Sequence, residues 1–222
     1  MSGKSIAIIA TSADKMGDHV TGAWSEEITG PYYIFKDAGA NVSIYSVKGG
    51  KVPIDAGSLS DSFKTENDKR FESSGDVKEL ETTKPVSDLS LDGVDCIFMA
   101  GGHGTVVDFP DALAGTVSTA YAKGKVVAAV CHGPTALYKA MDGDAPLVKG
   151  KKVCGFSDKE EEMVGLLGKV DYTPEAKMKE LGAEYVPGEP WSETAVRDGR
   201  LITGQNPQSS VKAAKLCLEA LA

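Results

Sequence analysis

This chain of 222 residues is poor in features that mark several large classes of protein. Aromatic residues make up 7% of it, and histidine occurs only three times. The first apolar run, residues 6–10, is shorter than the apolar region of a secretory signal peptide and is closely followed by Asp14. No apolar stretch approaches the roughly 20 residues that a membrane helix requires. The sequence therefore predicts a soluble, cytoplasmic protein with no membrane partner.

Positive charge is also in deficit. There are 24 lysine and arginine residues against 32 aspartate and glutamate residues, which gives a formal net charge of −8 and an isoelectric point near 5.0. Nucleic acids and anionic membranes bind proteins through clustered positive charge, and no basic cluster is present. Nucleic acid is therefore not an expected partner.

Cysteine is scarce and scattered, which excludes a secreted disulfide framework. Because a buried free cysteine usually behaves as a small apolar side chain, we predict that role for Cys96, Cys154 and Cys217. The fourth, Cys131, has different neighbours.

The three histidines are far apart in the sequence and lack the spacing of zinc ligands. They are His19, His103 and His132. The sequence therefore predicts no metal site.

Apolar runs rich in β-branched residues alternate with helical patterns. The runs read as strands cover residues 5–10, 41–46, 94–100, 126–130 and 152–156. Strands that are apolar on both faces and separated by helices indicate a mostly parallel sheet covered by helices on both sides. The predicted class is α/β. An Asp198-Gly199 pair between two further apolar runs predicts a tight hairpin.

Residues 47–92 interrupt this alternation with a long polar connection that follows the second predicted strand. A connection of this length is unusual inside a compact α/β domain. It is either a flexible surface insertion or a small cap over a site, and the sequence leaves both open. We expect a single domain over residues 1–222 that contains this insertion.

The most informative stretch is a buried strand that runs directly into Cys131-His132-Gly133-Pro134. This is the pattern of a nucleophile elbow, in which a sharp turn between strand and helix exposes one side chain above the sheet. The positive end of the following helix would favour the thiolate, so Cys131 is predicted to be acidic and nucleophilic. A buried cysteine at a strand end is the alternative. The turn would also have to bring His132 back toward its neighbour.

A glycine-rich segment, Gly101-Gly102-His103-Gly104, follows another buried strand and is expected at the same edge of the sheet. Glycine lets backbone N–H groups approach a developing oxyanion closely. The segment lacks the pattern of a phosphate-binding loop.

Two acidic residues, Glu26 and Glu27, lie near the start of the first predicted helix. Acidic residues there ordinarily offset the helix dipole at the surface. One of them could instead face the elbow, where burial and a neighbouring thiolate would raise its pKa and allow it to transfer protons. The residues alone do not choose between them.

Taken together, these segments resemble the ThiJ/PfpI superfamily of class I glutamine-amidotransferase-like proteins, in particular its heat-shock-protein-31-like branch of glyoxalase III enzymes. The matching segments span nearly the whole chain in order: residues 21–27, 100–110, 128–134, 155–158 and 198–207. The resemblance implies a flavodoxin-like three-layer sandwich with an insertion after the second strand.

The resemblance also implies roles for individual residues. Cys131 would be the nucleophile, His132 its partner, Glu27 the acid of the first helix and Glu161 the third acid of a triad. The backbone amides of His132 and Gly102 would form the oxyanion hole. The substrate pocket would be lined by Gly101, His103 and Trp191.

The activity implied by the resemblance is a cofactor-free conversion of methylglyoxal, a small dicarbonyl, to lactate. Such an enzyme would be a lyase of the D-lactate dehydratase type. Homodimers are usual in the superfamily, and the resemblance also permits a role in stress response. Two other functions stay open from the sequence: hydrolysis of amides or peptides by the same Cys-His pair, and a stress-response chaperone or redox sensor.

Overall fold

A computed structural model of the chain describes residues 3–222. Its helices are α1 (Ser25–Asp37), α2 (Glu66–Ser74), α3 (Thr105–Ala112), α4 (Ala114–Ala122), α5 (Asp158–Met163), α6 (Pro174–Glu180) and α7 (Ser210–Leu221). Its strands are β1 (Ser5–Ala10), β2 (Lys15–Met16), β3 (His19–Val20), β4 (Asn41–Ser46), β5 (Lys84–Pro85), β6 (Cys96–Met99), β7 (Val126–Val130), β8 (Met141–Asp142), β9 (Ala145–Pro146), β10 (Lys152–Val153), β11 (Glu184–Tyr185), β12 (Ala195–Asp198) and β13 (Leu201–Gly204).

Seven strands form the central sheet, in the order β12-β13-β7-β6-β1-β4-β5. All neighbouring pairs are parallel except the β12–β13 hairpin, which turns at Gly199 as the Asp-Gly pair predicts. The predicted α/β class with a mostly parallel sheet is therefore confirmed.

The period-two alternation of β1 divides the apolar core into two layers. Ile6 and Ile8 face α1 and α7, whereas Ala7 and Ile9 face α3 and α4. Because every residue of β7 and β6 is also buried, these strands cannot lie on a solvent-facing sheet, and helices must cover both sides. The result is the three-layer sandwich that the sequence predicts.

The carboxyl ends of β1, β6 and β7 meet at one edge of the sheet. The chain leaves β1 toward β4 on one side and returns to β6 on the other, so the strand order reverses between β1 and β6. In open α/β sheets a crevice forms at such a reversal, beyond the carboxyl ends of the strands. The segments that follow these three strands carry most of the residues singled out from the sequence.

The strand predicted over residues 152–156 is wrong in extent and place. Only Lys152–Val153 is extended, and it pairs with β11 outside the central sheet. Downstream, the Phe156 N–H donates to the carbonyl oxygen of Cys131 at 2.8 Å, which turns this segment toward the elbow. The place beside β7 is taken by β13.

The insertion over residues 47–92 packs against the body of the protein through α2. Phe71 is buried in the same core layer as α1. The carboxylate of Asp68, also buried, accepts hydrogen bonds from the hydroxyls of Ser25 (2.5 Å) and Thr29 (2.8 Å). These contacts favour the cap over the flexible insertion.

No helix in the described part of the chain combines the length and the apolar character needed to cross a membrane.

Candidate active site

Cys131 lies on a strained turn at the end of β7. Its φ of +58° lies in the left-handed region, which non-glycine residues rarely adopt. The turn is held by a hydrogen bond from its own N–H to the Gly204 carbonyl at 2.9 Å. A single 3₁₀ turn, Gly133–Leu137, follows at once with Pro134 near its start. The strand-to-helix elbow predicted from the sequence is therefore present.

The Cys131 side chain borders a narrow cavity of about 110 Å³ and is 3% exposed. Contrary to the sequence prediction, the thiol is not acidic in this environment. Burial raises its pKa well above the ordinary value, the charge of Glu27 raises it further, and a hydrogen bond from the Gly102 amide acts in the opposite direction. The helix that was expected to stabilise the thiolate is only a five-residue 3₁₀ turn, so its field is outweighed.

Glu27 is the acidic residue of α1 that reaches Cys131. Its side chain is fully buried, its Oε2 accepts a hydrogen bond from the Gly101 N–H at 2.7 Å, and its Oε1 has no hydrogen-bond partner among residues 3–222. Burial raises the pKa of Glu27 to about 8, although the neighbouring Cys131 side chain and the Gly101 N–H lower it in part. The pKa of this acid beside the elbow is raised by burial, as predicted, whereas the neighbouring Cys131 lowers it instead of raising it.

Glu26 points elsewhere. Its carboxylate accepts hydrogen bonds from Thr65 and Asn67 of the insertion. The structure therefore places Glu27, and not Glu26, beside the sulfur.

His132 connects the sulfur to a third acid. Its Nδ1 lies 3.4 Å from the Cys131 Sγ, and its Nε2 lies 2.7 Å from the Glu161 Oε2. Burial and the neighbouring His103 lower the pKa of His132 to about 4, despite the attraction of Glu161. Burial alone would raise the pKa of Glu161, but His132 and His103 together hold it at about 2. The pair is thus a neutral imidazole held by an ionised carboxylate at neutral pH.

A second histidine shares the same carboxylate. The His103 Nε2 lies 2.7 Å from the Glu161 Oε1, and the rings of His103 and His132 are 3.9 Å apart. Sequence spacing placed these histidines far apart, yet the fold brings three possible metal ligands, His103, His132 and Glu161, within 4.8 Å of one another. Their distance in the sequence is therefore not by itself an argument against a metal site. Here the nitrogen and oxygen atoms that would bind a metal are hydrogen-bonded to each other.

Gly102 offers its backbone amide to the sulfur. Its φ is +99°, and a Cβ at this position would lie 2.4 Å from the Gly22 carbonyl oxygen, so only glycine fits. The His132 amide is the first N–H after Cys131, at the start of the 3₁₀ turn. Of the two amides predicted for the oxyanion hole, that of Gly102 contacts the sulfur, and that of His132 follows Cys131 directly in the chain.

Of the three residues predicted to line the substrate pocket, two do. His103 and Trp191 border the cavity, whereas Gly101 lies behind it with its N–H bound to Glu27. Gly101 is tightly packed, since a Cβ at this position would lie 2.6 Å from the Val130 carbonyl oxygen and 2.7 Å from the Glu27 Oε2. The remaining walls are mostly apolar and were not predicted: Trp24, Phe63, Phe156, Val164 and Pro207.

The Trp191 wall is held by a buried carboxylate. Trp191 has a φ of +61°, and its backbone N–H donates to the Glu160 Oε1 at 2.8 Å. The same carboxylate accepts hydrogen bonds from the side chains of Gln205 and Asn206. Glu160 therefore supports the cavity wall, while its neighbour Glu161 faces the histidines.

The fold and the site define an α/β protein with a cysteine on a strand-to-helix elbow at the carboxyl edge of a parallel sheet. The pattern of the DJ-1/PfpI family matches residues 20–220, and the chain belongs to that family.

Several relatives resemble it over most of their length. Glyoxalase 3 of Candida albicans is 35% identical over 207 residues, which cover 88% of this chain and 87% of the relative. The glutathione-independent glyoxalase HSP31 of Saccharomyces cerevisiae is 36% identical over 213 residues, which cover 90% of each chain.

Solved structures agree with the fold. The Rapid Encystment Protein (REP24) of Francisella tularensis superposes with a TM-score of 0.93 at 35% identity and 99% coverage of both chains. Glyoxalase III of Candida albicans superposes with a TM-score of 0.89 at 33% identity, covering 98% of this chain and 97% of its own.

Proposed function

We propose that this protein is a glutathione-independent glyoxalase that converts methylglyoxal to lactate without a cofactor. Its relatives named as glyoxalases support the reaction, since they match nearly the whole chain. The observation that carries the proposal is the buried carboxyl of Glu27, with a pKa of about 8, beside the sulfur of Cys131. A nucleophile and a proton carrier that titrates near neutral pH are the two groups that this reaction needs.

In the first step the sulfur adds to the aldehyde carbon. Ionised Glu27 accepts the thiol proton as the C–S bond forms, and the new charge on the aldehyde oxygen is held by the amides of Gly102 and His132. Transfer of that proton from Glu27 to the oxygen gives a neutral hemithioacetal. No external reagent is consumed.

In the second step hydrogen moves between the two carbons. Glu27 removes the C–H proton of the former aldehyde carbon, an enediol forms, and the proton is returned to the neighbouring carbon. One O–H proton moves between the two oxygens at the same time, so the product is an S-lactoyl thioester of unchanged composition. Glu27 suits this role better than His132 because its pKa of about 8 lies nearer to neutral pH than the value of about 4 for His132.

In the third step water adds to the thioester carbonyl and the C–S bond breaks. Neutral His132, whose Nδ1 is 3.4 Å from the sulfur, can accept the proton of water and return it to the departing sulfur. The ionised Glu161 stabilises the imidazolium that forms meanwhile. Lactate leaves, the thiol is regenerated, and water is the only co-reactant.

The cavity favours a small aldehyde over an amide or peptide. Its volume of about 110 Å³ is well below the roughly 300–1,000 Å³ of an ordinary ligand pocket. A peptide chain on both sides of a scissile bond needs an open cleft. Hydrolysis of peptides is therefore the weaker candidate.

The test is to incubate the purified protein with methylglyoxal, without glutathione or added metal, and to measure lactate. We expect lactate from the natural protein and none above background from Cys131→Ala, with circular dichroism showing that the variant is folded. Absence of lactate from folded natural protein would overturn the proposal. Suppression of aggregation that survives in Cys131→Ala, without any lactate from the natural protein, would favour a chaperone.

We further infer that the protein acts as a homodimer in the cytoplasm, as the family resemblance suggests. Light scattering coupled to size exclusion, and fractionation of source cells, would check these two points. A monomer mass across the micromolar range would contradict the first.

A further inference from the structure

Phe63 is the one wall of the active-site cavity that the insertion contributes. Its ring packs edge-on against Trp24, with centroids 5.2 Å apart and planes at 85°. Phe63 is nevertheless 38% exposed, so one side of the ring faces away from the cavity. The ring of Phe63 therefore forms a thin wall near the surface, called the partition below, and is not part of the buried core.

A second cavity of about 260 Å³ adjoins the first at this partition. The two cavities share the walls Trp24, Phe63 and Pro207. The other walls of the outer cavity are polar or charged: Glu26, Ser62, Lys64, Thr65 and Gln208. An apolar ring therefore separates a small inner chamber, which holds the sulfur, from a larger polar one.

The backbone on both sides of Phe63 is tied down. Its own N–H donates to the Ser60 carbonyl at 2.9 Å, and the Thr65 hydroxyl donates to the buried Glu26 carboxylate of α1. Lys64 forms an ion pair with Glu72 of α2 at 2.7 Å. Because the turn is anchored in this way, shortening the side chain should open the partition without displacing the backbone.

The inner chamber also restricts charge. No aspartate, glutamate, lysine or arginine side chain lines it, although the carboxyl of Glu27 lies beside Cys131. A substrate carboxylate would find no cationic partner there, and burying an unpaired charge is costly. The chamber suits an uncharged dicarbonyl with a short tail, and the outer cavity beyond Phe63 is adjoining space for a longer tail.

We propose that Phe63 is the specificity-determining residue of this site and that it restricts the reaction to small, uncharged 2-oxoaldehydes by closing the passage to the outer cavity. The proposal rests on the glyoxalase function proposed above. The juxtaposition of the two cavities, which share Phe63 as a wall together with Trp24 and Pro207, supports it independently of the chemistry at the sulfur.

The first experiment compares methylglyoxal with phenylglyoxal as substrates of the natural protein and of Phe63→Ala. Removing the ring should raise the kcat/KM for phenylglyoxal relative to methylglyoxal by about tenfold or more, the scale set by packing differences in apolar pockets. Phe63→Leu, which keeps part of the wall, should give a smaller shift in the same direction. Leu59→Ala is the matched control, because Leu59 is an exposed apolar residue of the same insertion that borders neither cavity.

The second experiment measures access without turnover. Cys131 is alkylated with iodoacetamide and with the bulkier N-ethylmaleimide, and labelling is located by mass spectrometry. Phe63→Ala should raise the maleimide rate relative to the iodoacetamide rate by about tenfold, whereas Leu59→Ala should leave the ratio unchanged.

The two experiments separate the two proposals. If the natural protein makes lactate but neither ratio changes in Phe63→Ala, the role of Phe63 is overturned and the glyoxalase function stands. If the natural protein makes no lactate but the alkylation ratio changes as expected, the glyoxalase function is overturned and the partition stands. If Phe63→Ala does not fold, the ratios in Phe63→Leu decide, and unchanged ratios there count against the proposal.

Discussion

Both carboxyl groups of the site are buried, but their different neighbours give them opposite protonation states at neutral pH. Glu27 has apolar surroundings and few donors, so its pKa is raised to about 8. Glu161 is just as inaccessible, yet two histidines donate to it and hold its pKa at about 2. Pairs of titratable groups whose environments separate their pKa values in this way commonly divide the roles of proton carrier and fixed charge.

The first prediction concerns the pH dependence of the reaction. If ionised Glu27 is the base, kcat/KM should rise with pH through about 8 and then level off. Glu27→Gln, which cannot carry the proton, should lower kcat by on the order of 10²–10⁴ and remove this rise. Initial rates between pH 6 and 9.5 check both points. A rise of unchanged midpoint in the variant would assign the titration to another group.

The second prediction concerns stability at the same residue. The pKa of Glu27 in the folded protein, about 8, lies above its ordinary value of 4.5, so the folded state binds the proton more tightly than the unfolded state does. This contribution is complete below about pH 4.5 and is lost as the pH rises through about 8. Glu27→Gln should therefore lose less stability than the natural protein between pH 5 and 9, by on the order of a few kcal/mol.

Urea unfolding at several pH values across that range measures the difference. Equal pH dependence in the two proteins would contradict the raised pKa.

The third prediction tests the carboxylate that two histidines share. In Glu161→Gln one oxygen is replaced by an N–H donor, so His103 and His132 can no longer both donate to the side chain. We expect kcat to fall by on the order of 10² or more, because His132 loses the partner that fixes its tautomer. A steady-state assay with near-ultraviolet circular dichroism as the folding control checks this. A loss below threefold would mean that Glu161 serves the fold and not the reaction.

At the scale of secondary-structure elements, the contact between α1 and α2 holds the insertion against the active site. Asp68 of α2 accepts hydrogen bonds from Ser25, Thr29 and the backbone N–H of Thr65, and it is buried. The carboxylate is thus the centre of the contact that places Phe63 beside Trp24.

The fourth prediction removes that contact. Asp68→Ala leaves several buried donors without an acceptor and should lower the free energy of unfolding by about 2–4 kcal/mol. Limited proteolysis should then cut first within residues 47–92. Glu66→Ala is the control, since Glu66 is an exposed residue of the same helix. Equal protease resistance in the two variants would contradict an anchoring role.

The elements that the sequence predicts best are those whose local pattern and tertiary surroundings agree. The bounds of β1, β4 and β7 were predicted without error. β1 and β7 are apolar runs in a part of the sheet that is buried on both faces. β4 instead alternates, with Asn41 and Ser43 exposed and Ile44 buried. The strand at residues 152–156 was wrong because Phe156 bonds to the elbow instead of extending a ladder.

The active site, too, could be predicted only where a local sequence pattern encodes it. The elbow at Cys131 was predicted because it is encoded by adjacent residues, and the resemblance supplied Glu27 and Glu161. The second histidine on Glu161 and the aromatic wall from the insertion depend on contacts between distant segments, for which no local pattern exists. The pKa of Cys131 was predicted in the wrong direction because burial, which sequence does not quantify, exceeds the field of a short turn.

For the whole molecule, one sheet supports two apolar layers, so we expect residues 3–222 to unfold as a single domain. Phe98 of β6 is fully buried, and its ring packs edge-on against Phe35 of α1 at 5.8 Å. Because the same strands form both faces of the sheet, we expect a loss of packing on one face to destabilise the other face as well.

The fifth prediction follows from this shared sheet. Phe98→Ala should lower the free energy of unfolding by about 3–5 kcal/mol through the cavity that it leaves. The natural protein and the variant should each show one calorimetric transition, with the variant lower in Tm. Two separated transitions in either protein would show that the layers fold independently.

The turn at Cys131 has a consequence for the history of such a chain. A backbone angle of +58° is unfavourable for any residue with a Cβ, and glycine at this place would remove the penalty. If this position were selected only for folding stability, glycine would therefore replace Cys131. In descendants that no longer need the chemistry, we expect this position to drift early, while the architecture around it persists.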